Sequence, residues 1–147
     1  MKTAIIYYSK HHSNTKQLLD KLCEDNDITL INAVNTPTKN LNDFDLIGFA
    51  SGIYYSKFHK SVIKFIENNL PEDKKVFFIC TYGVKKDGYT DAVKKAVNKK
   101  NAKILGEFGC LGFDTFGPFK LIGGIAKGHP SNEDFKNVKD FFKNIIA

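Results

Sequence analysis

Apolar and polar positions follow two different patterns along this chain. Short, almost continuous apolar runs occur at 3–8, 28–31, 45–50, 75–80 and 103–112. Between them, apolar residues recur every three or four positions. Short apolar runs bounded by polar residues predict buried strands, and the three-to-four spacing predicts amphipathic helices. The pattern therefore predicts five strands separated by helical or looped connections.

Four segments carry the helical spacing and are predicted to be helices: one from Asn14, one over 57–69, one from about Thr90 and one capped by Ser131. The last has Asp134 three residues after Ser131, which is the spacing of a capping box. Residues 32–43 are polar and contain a proline, which predicts a loop or a weak helix. Strands that alternate with helices predict an α/β fold, with a parallel sheet and helices on both faces.

The first loop combines hydroxyls, an amide, two imidazoles and an ammonium between a strand and a helix. Its members are Ser9, Lys10, His11, His12, Ser13, Asn14 and Thr15. Parallel sheets bind ligands beyond the carboxyl ends of their strands, and a helix start offers unpaired N–H groups to a phosphate. The alternative is ordinary helix capping by Ser13 or Asn14. The loop is neither a P-loop nor a GxGxxG turn.

At this loop the sequence resembles the flavodoxin family. That family opens with a strand, an aromatic residue and a Ser/Thr-rich loop that ends in Gly-Asn-Thr and holds the phosphate of FMN. "YYSKHHSNT" matches it with Ser13 in place of the glycine, and "DFDLIGFASGIYYSKFHKSVIKFI" and "VFFICTYG" resemble its third and fourth strands with their flavin loops. The resemblance implies one FMN-binding domain over 1–147, a doubly wound five-stranded parallel sheet and the strand order 2-1-3-4-5.

Two further loops would then contact the flat flavin ring, which needs aromatic faces and backbone hydrogen bonds. The resemblance assigns this role to Ser51, Gly52, Ile53, Tyr54 and Tyr55 after the third strand, and to Thr81, Tyr82 and Gly83 after the fourth. The alternatives are turn geometry for the glycines and partial burial against a helix for one of Tyr54 and Tyr55.

The resemblance leaves three functions open. The first is an electron carrier that shuttles electrons between larger redox partner proteins. The second is a flavin-dependent oxidoreductase that acts on quinones or protoporphyrinogen, because "GIYYSKFH" also resembles the loop of flavodoxin-like protoporphyrinogen oxidases. The third is a relative of the fold that has lost its flavin and acts as a binding module. The long glycine-containing segment 113–130 could cover a substrate site.

Composition limits the kinds of binding partner that are expected. The chain carries 22 lysines, no arginine and a net charge of +6, without a nucleic-acid recognition motif, so no nucleic acid partner is expected. No stretch approaches the ~20 apolar residues of a membrane helix, and the start lacks a signal-peptide pattern, so no stable membrane insertion is expected. A monomer or weak dimer is expected. Lys10, Lys57, Lys85 and Lys86 lie in or beside the proposed flavin loops and would favour the reduced, anionic flavin.

Five other residues have chemistry of their own. Cys23, Cys80 and Cys110 show no CxxC spacing, which indicates a reduced, cytoplasmic protein without a metal site. Cys80 and Cys110 end neighbouring predicted strands, so a redox dithiol is conceivable, but buried core thiols are the favoured interpretation. His59 and His129 are interpreted as helix-start or turn residues, with an acid/base pair between Asp114 and His129 as the alternative.

Overall fold

Six strands and four helices lie in the residues that the computed structural model describes, which are 1–10, 14–112 and 128–147. In chain order they are β1 (Thr3–Tyr8), α1 (Asn14–Asp25), β2 (Ile28–Asn32), β3 (Leu46–Tyr54), β4 (Lys57–Phe58), α2 (Lys60–Asn69), β5 (Lys75–Tyr82), α3 (Asp91–Asn98), β6 (Lys103–Leu111) and α4 (Asn132–Ile146).

The long strands form one parallel sheet in the order β2-β1-β3-β5-β6. Counting only these five strands, this is the predicted order 2-1-3-4-5, so the predicted fold is confirmed. The sixth strand, β4, is two residues long and folds back antiparallel on the end of β3. The carboxyl ends of β1, β3 and β5 therefore meet side by side at one edge of the sheet.

Two strands extend further than the apolar runs predicted. β3 was expected to end at residue 50 but continues to Tyr54, because Ser51 and Gly52 keep the parallel register with β5. β5 likewise continues to Tyr82 instead of residue 80. The helix predicted over 57–69 begins only at Lys60, since the two preceding residues form β4. Ser51 and Gly52 interrupt the apolar run in β3 and Thr81 interrupts it in β5, which is why the pattern missed these extensions.

Each face of the sheet is covered by a helix pair. α2 and α3 cover the face that presents Phe49 and Phe78, and α1 and α4 cover the face that presents Ile5 and Phe77. All four of these side chains are fully buried, and burying each contributes about 1.5–3 kcal/mol. Gly48 makes room for one of them, because a Cβ there would lie 2.4 Å from Cζ of Phe77.

The connections agree with the sequence interpretation. Residues 33–45, which lead from β2 to β3, form a turn and a loop without a helix, and Leu41 and Phe44 anchor the loop in the core. Ser131 and Asp134 form the predicted capping box at the start of α4. In the described part of the chain, no helix has the length and apolarity needed to span a bilayer.

Candidate functional site

The start of α1 places two buried polar side chains at the sheet edge. Asn14 and Thr15 are 7% and 1% exposed. Thr15 Oγ1 lies 2.9 Å from Oγ1 of Thr81, which is itself buried near the end of β5. Buried hydroxyls need hydrogen-bond partners, and this contact uses one of the two hydroxyl hydrogens, which leaves the other for a further acceptor. The pair therefore fixes the start of α1 against the carboxyl end of β5, which lies two strands away from β1 in the sheet.

Ser9 closes the loop that joins β1 to α1. Its Oγ accepts a hydrogen bond from the backbone N–H of Lys16 at 3.1 Å, and this N–H lies in the first helical turn, which lacks intrahelical partners. Lys10 follows with an exposed side chain. The predicted ligand residues His11, His12 and Ser13 lie outside the described residues.

Gly112 brings the end of β6 against the same helix start. Its backbone N–H donates to the carbonyl of Tyr82 at 2.8 Å. A Cβ at this position would lie 2.6 Å from Nδ2 of Asn14, so only glycine leaves that amide where it is. Gly112 was not among the predicted site residues. The glycine directly after a strand was the available signal, but its neighbour in space could not be read from the chain.

The predicted ring loop after β3 is a tight hairpin. Ile53 pairs with Phe58 and Tyr54 with Lys57, which leaves a two-residue turn. Both turn residues have positive φ, 51° at Tyr55 and 67° at Ser56. Two-residue hairpin turns need this geometry, but they usually use Asn-Gly to avoid its steric cost. The turn holds Tyr55 with 84% of its surface exposed.

Ser51 ties that hairpin to the sheet. Its buried hydroxyl accepts from the backbone N–H of His59 at 3.0 Å and donates to the carbonyl of Gly52 at 2.5 Å. Ser51 was predicted to contact a cofactor directly. Its hydroxyl bonds two backbone groups, which fixes the hairpin, and the cofactor contact stays a prediction.

His59 joins two tyrosines in an aromatic cluster beneath the hairpin. Its ring stacks on Tyr8 with the centroids 3.7 Å apart, and Tyr54 meets both rings edge-on at 5.2–5.5 Å. The His59 side chain also caps α2, because Nδ1 accepts from the backbone N–H of Ser61 at 3.1 Å. The predicted helix-start role is therefore confirmed, whereas the cluster with Tyr8 was missed, although Tyr8 directly precedes Ser9.

The charge state of His59 follows from these contacts. Burial lowers its pKa below the ordinary 6.5, and the nearby ammonium groups of Lys60 and Lys10 lower it further. Because Nδ1 accepts a backbone hydrogen bond, the proton of the neutral ring is assigned to Nε2. The cluster therefore contains a neutral histidine at pH 7.

The end of β5 carries a second aromatic surface. The half-buried Tyr82 lies over Gly109, where a Cβ would come within 2.9 Å of Cε2 of the tyrosine ring. Its ring centroid is 5.6 Å from that of Tyr89. The two rings help to line a cleft of about 250 Å³ between the β5–α3 loop and β6. Burial raises the pKa of Tyr82, so its phenol stays protonated.

Cys80 and Cys110 do not form a dithiol. Cys80 lies opposite Gly109 and Cys110 opposite Thr81, so the two cysteines are one position out of register. Neighbouring positions on a strand point to opposite faces, and the two thiols lie in the separate cores on either side of the sheet. Burial raises the pKa of each to about 12, which keeps them as thiols. Cys23, Cys80 and Cys110 are all free.

His129 belongs to the start of α4. Its Nδ1 lies 2.7 Å from Oδ2 of Asp134. Burial alone would raise the pKa of Asp134, but the hydrogen bonds from His129 and Ser131 lower it overall. The role expected for His129 at a turn or helix start is confirmed, and its proposed alternative partner Asp114 lies outside the described residues.

The described donors at the sheet edge suit an anion beside an aromatic group. They are the hydroxyls of Ser9, Thr15 and Thr81, the amide of Asn14 and the ammonium of Lys10, and no carboxylate belongs to this described set. Tyr54, Tyr55 and Tyr82 lie at the ends of the two neighbouring strands. The chemistry of this set fits the phosphate and the flat ring of a flavin mononucleotide.

Comparisons with known proteins agree with the fold. The flavodoxin domain family matches residues 4–113, so the chain belongs to that family. Its members are flavoproteins of the flavodoxin type. Across 99% of both chains, the sequence is 37% identical to an uncharacterised protein of Methanocaldococcus jannaschii.

Solved flavodoxins share the fold at low sequence identity. A flavodoxin from the domain Archaea superposes with a TM-score of 0.72 over all of both chains, at 16% identity. The two-electron-reduced flavodoxin of Megasphaera elsdenii superposes with a TM-score of 0.62 at 18% identity, covering 93% of this chain and 97% of its own. At these identities the likeness establishes the architecture only.

Proposed function

We propose that this protein binds FMN at the edge formed by β1, β3 and β5 and carries electrons between larger redox proteins. The observation that carries the proposal is the start of α1, where Asn14 and Thr15 are buried and the Thr15 hydroxyl is bonded to Thr81, next to the tyrosine at the end of β5. When bound, FMN supplies the reversible acceptance and release of electrons.

The loop 9–15 would hold the phosphate. Thr15, Asn14 and the N–H groups of the α1 start donate hydrogen bonds, Lys10 contributes a positive charge, and Ser9 keeps the loop closed over the helix start. His11, His12 and Ser13 are proposed to complete this loop. Hydrogen bonds to a charged group are worth roughly 1.5–3 kcal/mol each, so this loop would supply most of the affinity.

The ends of β3 and β5 would hold the ring. The chain from Gly52 to Tyr55 would lie on one side of it, and the chain from Thr81 to Gly83 on the other. Ser51 and His59 hold the first side in place through the backbone and the aromatic cluster. Cytoplasmic localisation is part of the proposal and is supported by the three free cysteines.

A second candidate function is a flavin-dependent oxidoreductase of the quinone- or protoporphyrinogen-oxidising type. The hairpin favours it, because Tyr55 is presented outward beside the ring site on a turn of unusual composition. Steady-state oxidase and quinone-reductase assays on the FMN-loaded protein separate the two candidates. Turnover of either substrate faster than free FMN achieves would favour the enzyme.

The cofactor itself is tested by reconstitution. The apoprotein should bind FMN more tightly than riboflavin or FAD, because the chain offers one phosphate loop and no second glycine-rich fingerprint for an adenosine half. Fluorescence titration with each flavin, together with mass spectrometry of the cofactor extracted from the purified protein, provides the measurement. Preference for FAD, or equal affinity for FMN and riboflavin, would refute the proposed phosphate site.

A further inference from the structure

The two loops at the proposed ring site are surrounded by lysines. These are Lys10 after β1, Lys57 and Lys60 around β4, and Lys85 and Lys86 after β5. All five are exposed, and we refer to them as the lysine rim. Because β1, β3 and β5 are adjacent parallel strands, the segments that carry the rim emerge from one edge only about 10 Å wide.

No ion pair between described residues neutralises the rim. The lysines that form ion pairs within the described ranges are Lys16, Lys21, Lys94, Lys136 and Lys139. The carboxylates on the described parts of the same loops and helix starts are Asp87 and Asp91, and Glu107 on β6, which lines the same cleft as Lys85 and Lys86, pairs with Lys94. Burial is the main cause that lowers the pKa of His59, and Lys60 and Lys10 lower it further, so both ammonium groups lie near the hairpin. Among the described residues, the loops and helix starts that follow β1, β3 and β5 therefore carry more positive than negative charge.

The opposite edge has a different charge balance. At the amino ends of the strands, carboxylates such as Asp43, Asp45 and Glu72 alternate with lysines such as Lys75 and Lys103. The charged residues described at the two edges are thus differently balanced. An excess of one sign at one edge steers association with partners of the other sign, whereas a mixed edge does not.

Two exposed apolar side chains lie inside the rim. Tyr55 is 84% exposed at the tip of the hairpin, and Val84 is 44% exposed after β5. An exposed aromatic and an aliphatic residue surrounded by charged groups is the arrangement found at protein–protein interfaces, where the apolar centre supplies affinity and the polar rim supplies orientation. Duplex nucleic acid, whose bases are already stacked, would use the charge but not this centre.

We infer that this edge docks an acidic electron-transfer protein, with Tyr55 and Val84 at the centre of the contact and the lysine rim around it. The inference rests on the proposed function, since it places the partner directly over the proposed ring site. It names the chemistry of the partner: a small redox protein that presents a carboxylate-rich face around its own redox centre.

The test uses an acidic [2Fe–2S] ferredoxin as the probe and a basic c-type cytochrome as its opposite in charge. The FMN-reconstituted, ¹⁵N-labelled protein is titrated with each at low salt. Chemical-shift changes with the ferredoxin should centre on Tyr55, Lys57, Val84 and Lys85. Affinity should fall about tenfold or more when salt is raised, because a shorter Debye length screens the exposed charges.

Charge reversal with a matched control separates the rim from the net charge. The variant Lys57→Glu/Lys85→Glu/Lys86→Glu should lower ferredoxin affinity about tenfold or more at low salt. The control Lys39→Glu/Lys75→Glu/Lys103→Glu changes the net charge equally, and its three exposed lysines lie at the opposite edge. It should lower the affinity no more than about twofold. A Lys→Gln series at the rim positions should give an intermediate loss.

Four outcomes would overturn the inference. Two of them are no ferredoxin binding at low salt and equal losses of ferredoxin affinity in both triple variants. The other two are tighter binding of the cytochrome than of the ferredoxin, and displacement of the ferredoxin from the same loops by duplex DNA or by vesicles of phosphatidylglycerol and phosphatidylcholine. The titration is repeated on the apoprotein. Binding without FMN would leave the docking surface standing even where the flavin proposal failed, and the FMN affinity of each variant reports that proposal separately.

Discussion

The two sides of the candidate site are built in opposite ways. At the start of α1, Asn14 and Thr15 are almost completely buried and the hydroxyl of Thr15 is bonded to Thr81. At the hairpin beyond β3, the backbone has positive φ and Tyr55 is almost fully exposed. The first side is preorganised by hydrogen bonds inside the protein, and the second places an aromatic surface in solvent.

The difference follows from what each side has to recognise. A phosphate is small and charged, and donors that are already oriented and shielded from water bind it most strongly. A flat ring, or a partner protein over it, needs contact area and access instead. His59 links the two sides, because it stacks on Tyr8 at the end of β1 and caps the helix that follows the hairpin.

Removing the donors of the buried side should have the largest effect. Asn14→Ala/Thr15→Val should weaken FMN binding by several kcal/mol, because each lost hydrogen bond to a charged phosphate is worth roughly 1.5–3 kcal/mol. Riboflavin, which has no phosphate, should lose much less. Fluorescence titration of both ligands measures the difference, with the exposed Thr38→Val as the control. Equal losses for the two flavins would mean that the residues only support the helix start.

Crowding the same side from β6 should have the next largest effect. Gly112→Ala would push against Nδ2 of Asn14, which lies 2.6 Å from the position of the new Cβ. Overpacking of this kind costs typically about 1–3 kcal/mol, and displacement of Asn14 should lower FMN affinity as well. Thermal unfolding and FMN titration measure the two effects.

Gly106→Ala is the matched control for that substitution. Its Cβ would meet the ring edge of Phe141 at 3.2 Å, a looser approach than that of Gly112, and the nearest atoms belong to α4 and not to α1. It should lower stability less and leave FMN affinity unchanged. A loss of FMN affinity in Gly106→Ala as large as in Gly112→Ala would show that the effect does not pass through Asn14.

The contrast between the two sides also separates what sequence could predict from what it could not. The strand order and helix positions follow from apolar periodicity and the family resemblance, and the capping box of α4 follows from Ser131 and Asp134. The hairpin was missed because Tyr55-Ser56 lacks the Asn-Gly signal that usually marks such turns. The contact between Gly112 and Asn14 depends on where β6 ends relative to α1, which only the assembled sheet fixes.

Cysteine placement gives the same lesson. Cys80 and Cys110 were correctly expected on neighbouring strands, and buried thiols were the favoured interpretation. Whether they face each other depends on a register offset of one residue, which the sequence does not encode locally. That offset puts the thiols on opposite faces of the sheet.

Relieving the backbone strain in the hairpin turn should have a smaller effect, which is on the stability of the protein. Ser56→Gly should raise the free energy of unfolding by about 0.5–1 kcal/mol, because glycine adopts the φ of 67° without a Cβ clash, offset partly by its greater freedom in the unfolded chain. Asn101→Gly, at a φ of 53°, is the control and should gain less, since asparagine tolerates this conformation. Chemical denaturation measures both, and equal gains would contradict a specific strain at Ser56.

Changing the charge of His59 should have the smallest effect, since its ring is only partly buried. Because the pKa of His59 in the folded protein lies below its ordinary 6.5, the unfolded chain binds the proton more readily. The free energy of unfolding should therefore be highest above pH 6.5, fall as the pH drops below that value, and level off below the folded-state pKa. Protonation of Nδ1 would also remove the acceptor for the N–H of Ser61.

His59→Asn keeps a side-chain cap without titrating in this range, so its stability should stay flat where the wild type declines. Asp134, whose pKa is lowered, loses its contribution only at pH values below its ordinary 3.8 and does not overlap this window. Denaturation series of both proteins between pH 5 and pH 8 provide the comparison, and parallel declines would show that another group, not His59, causes the loss.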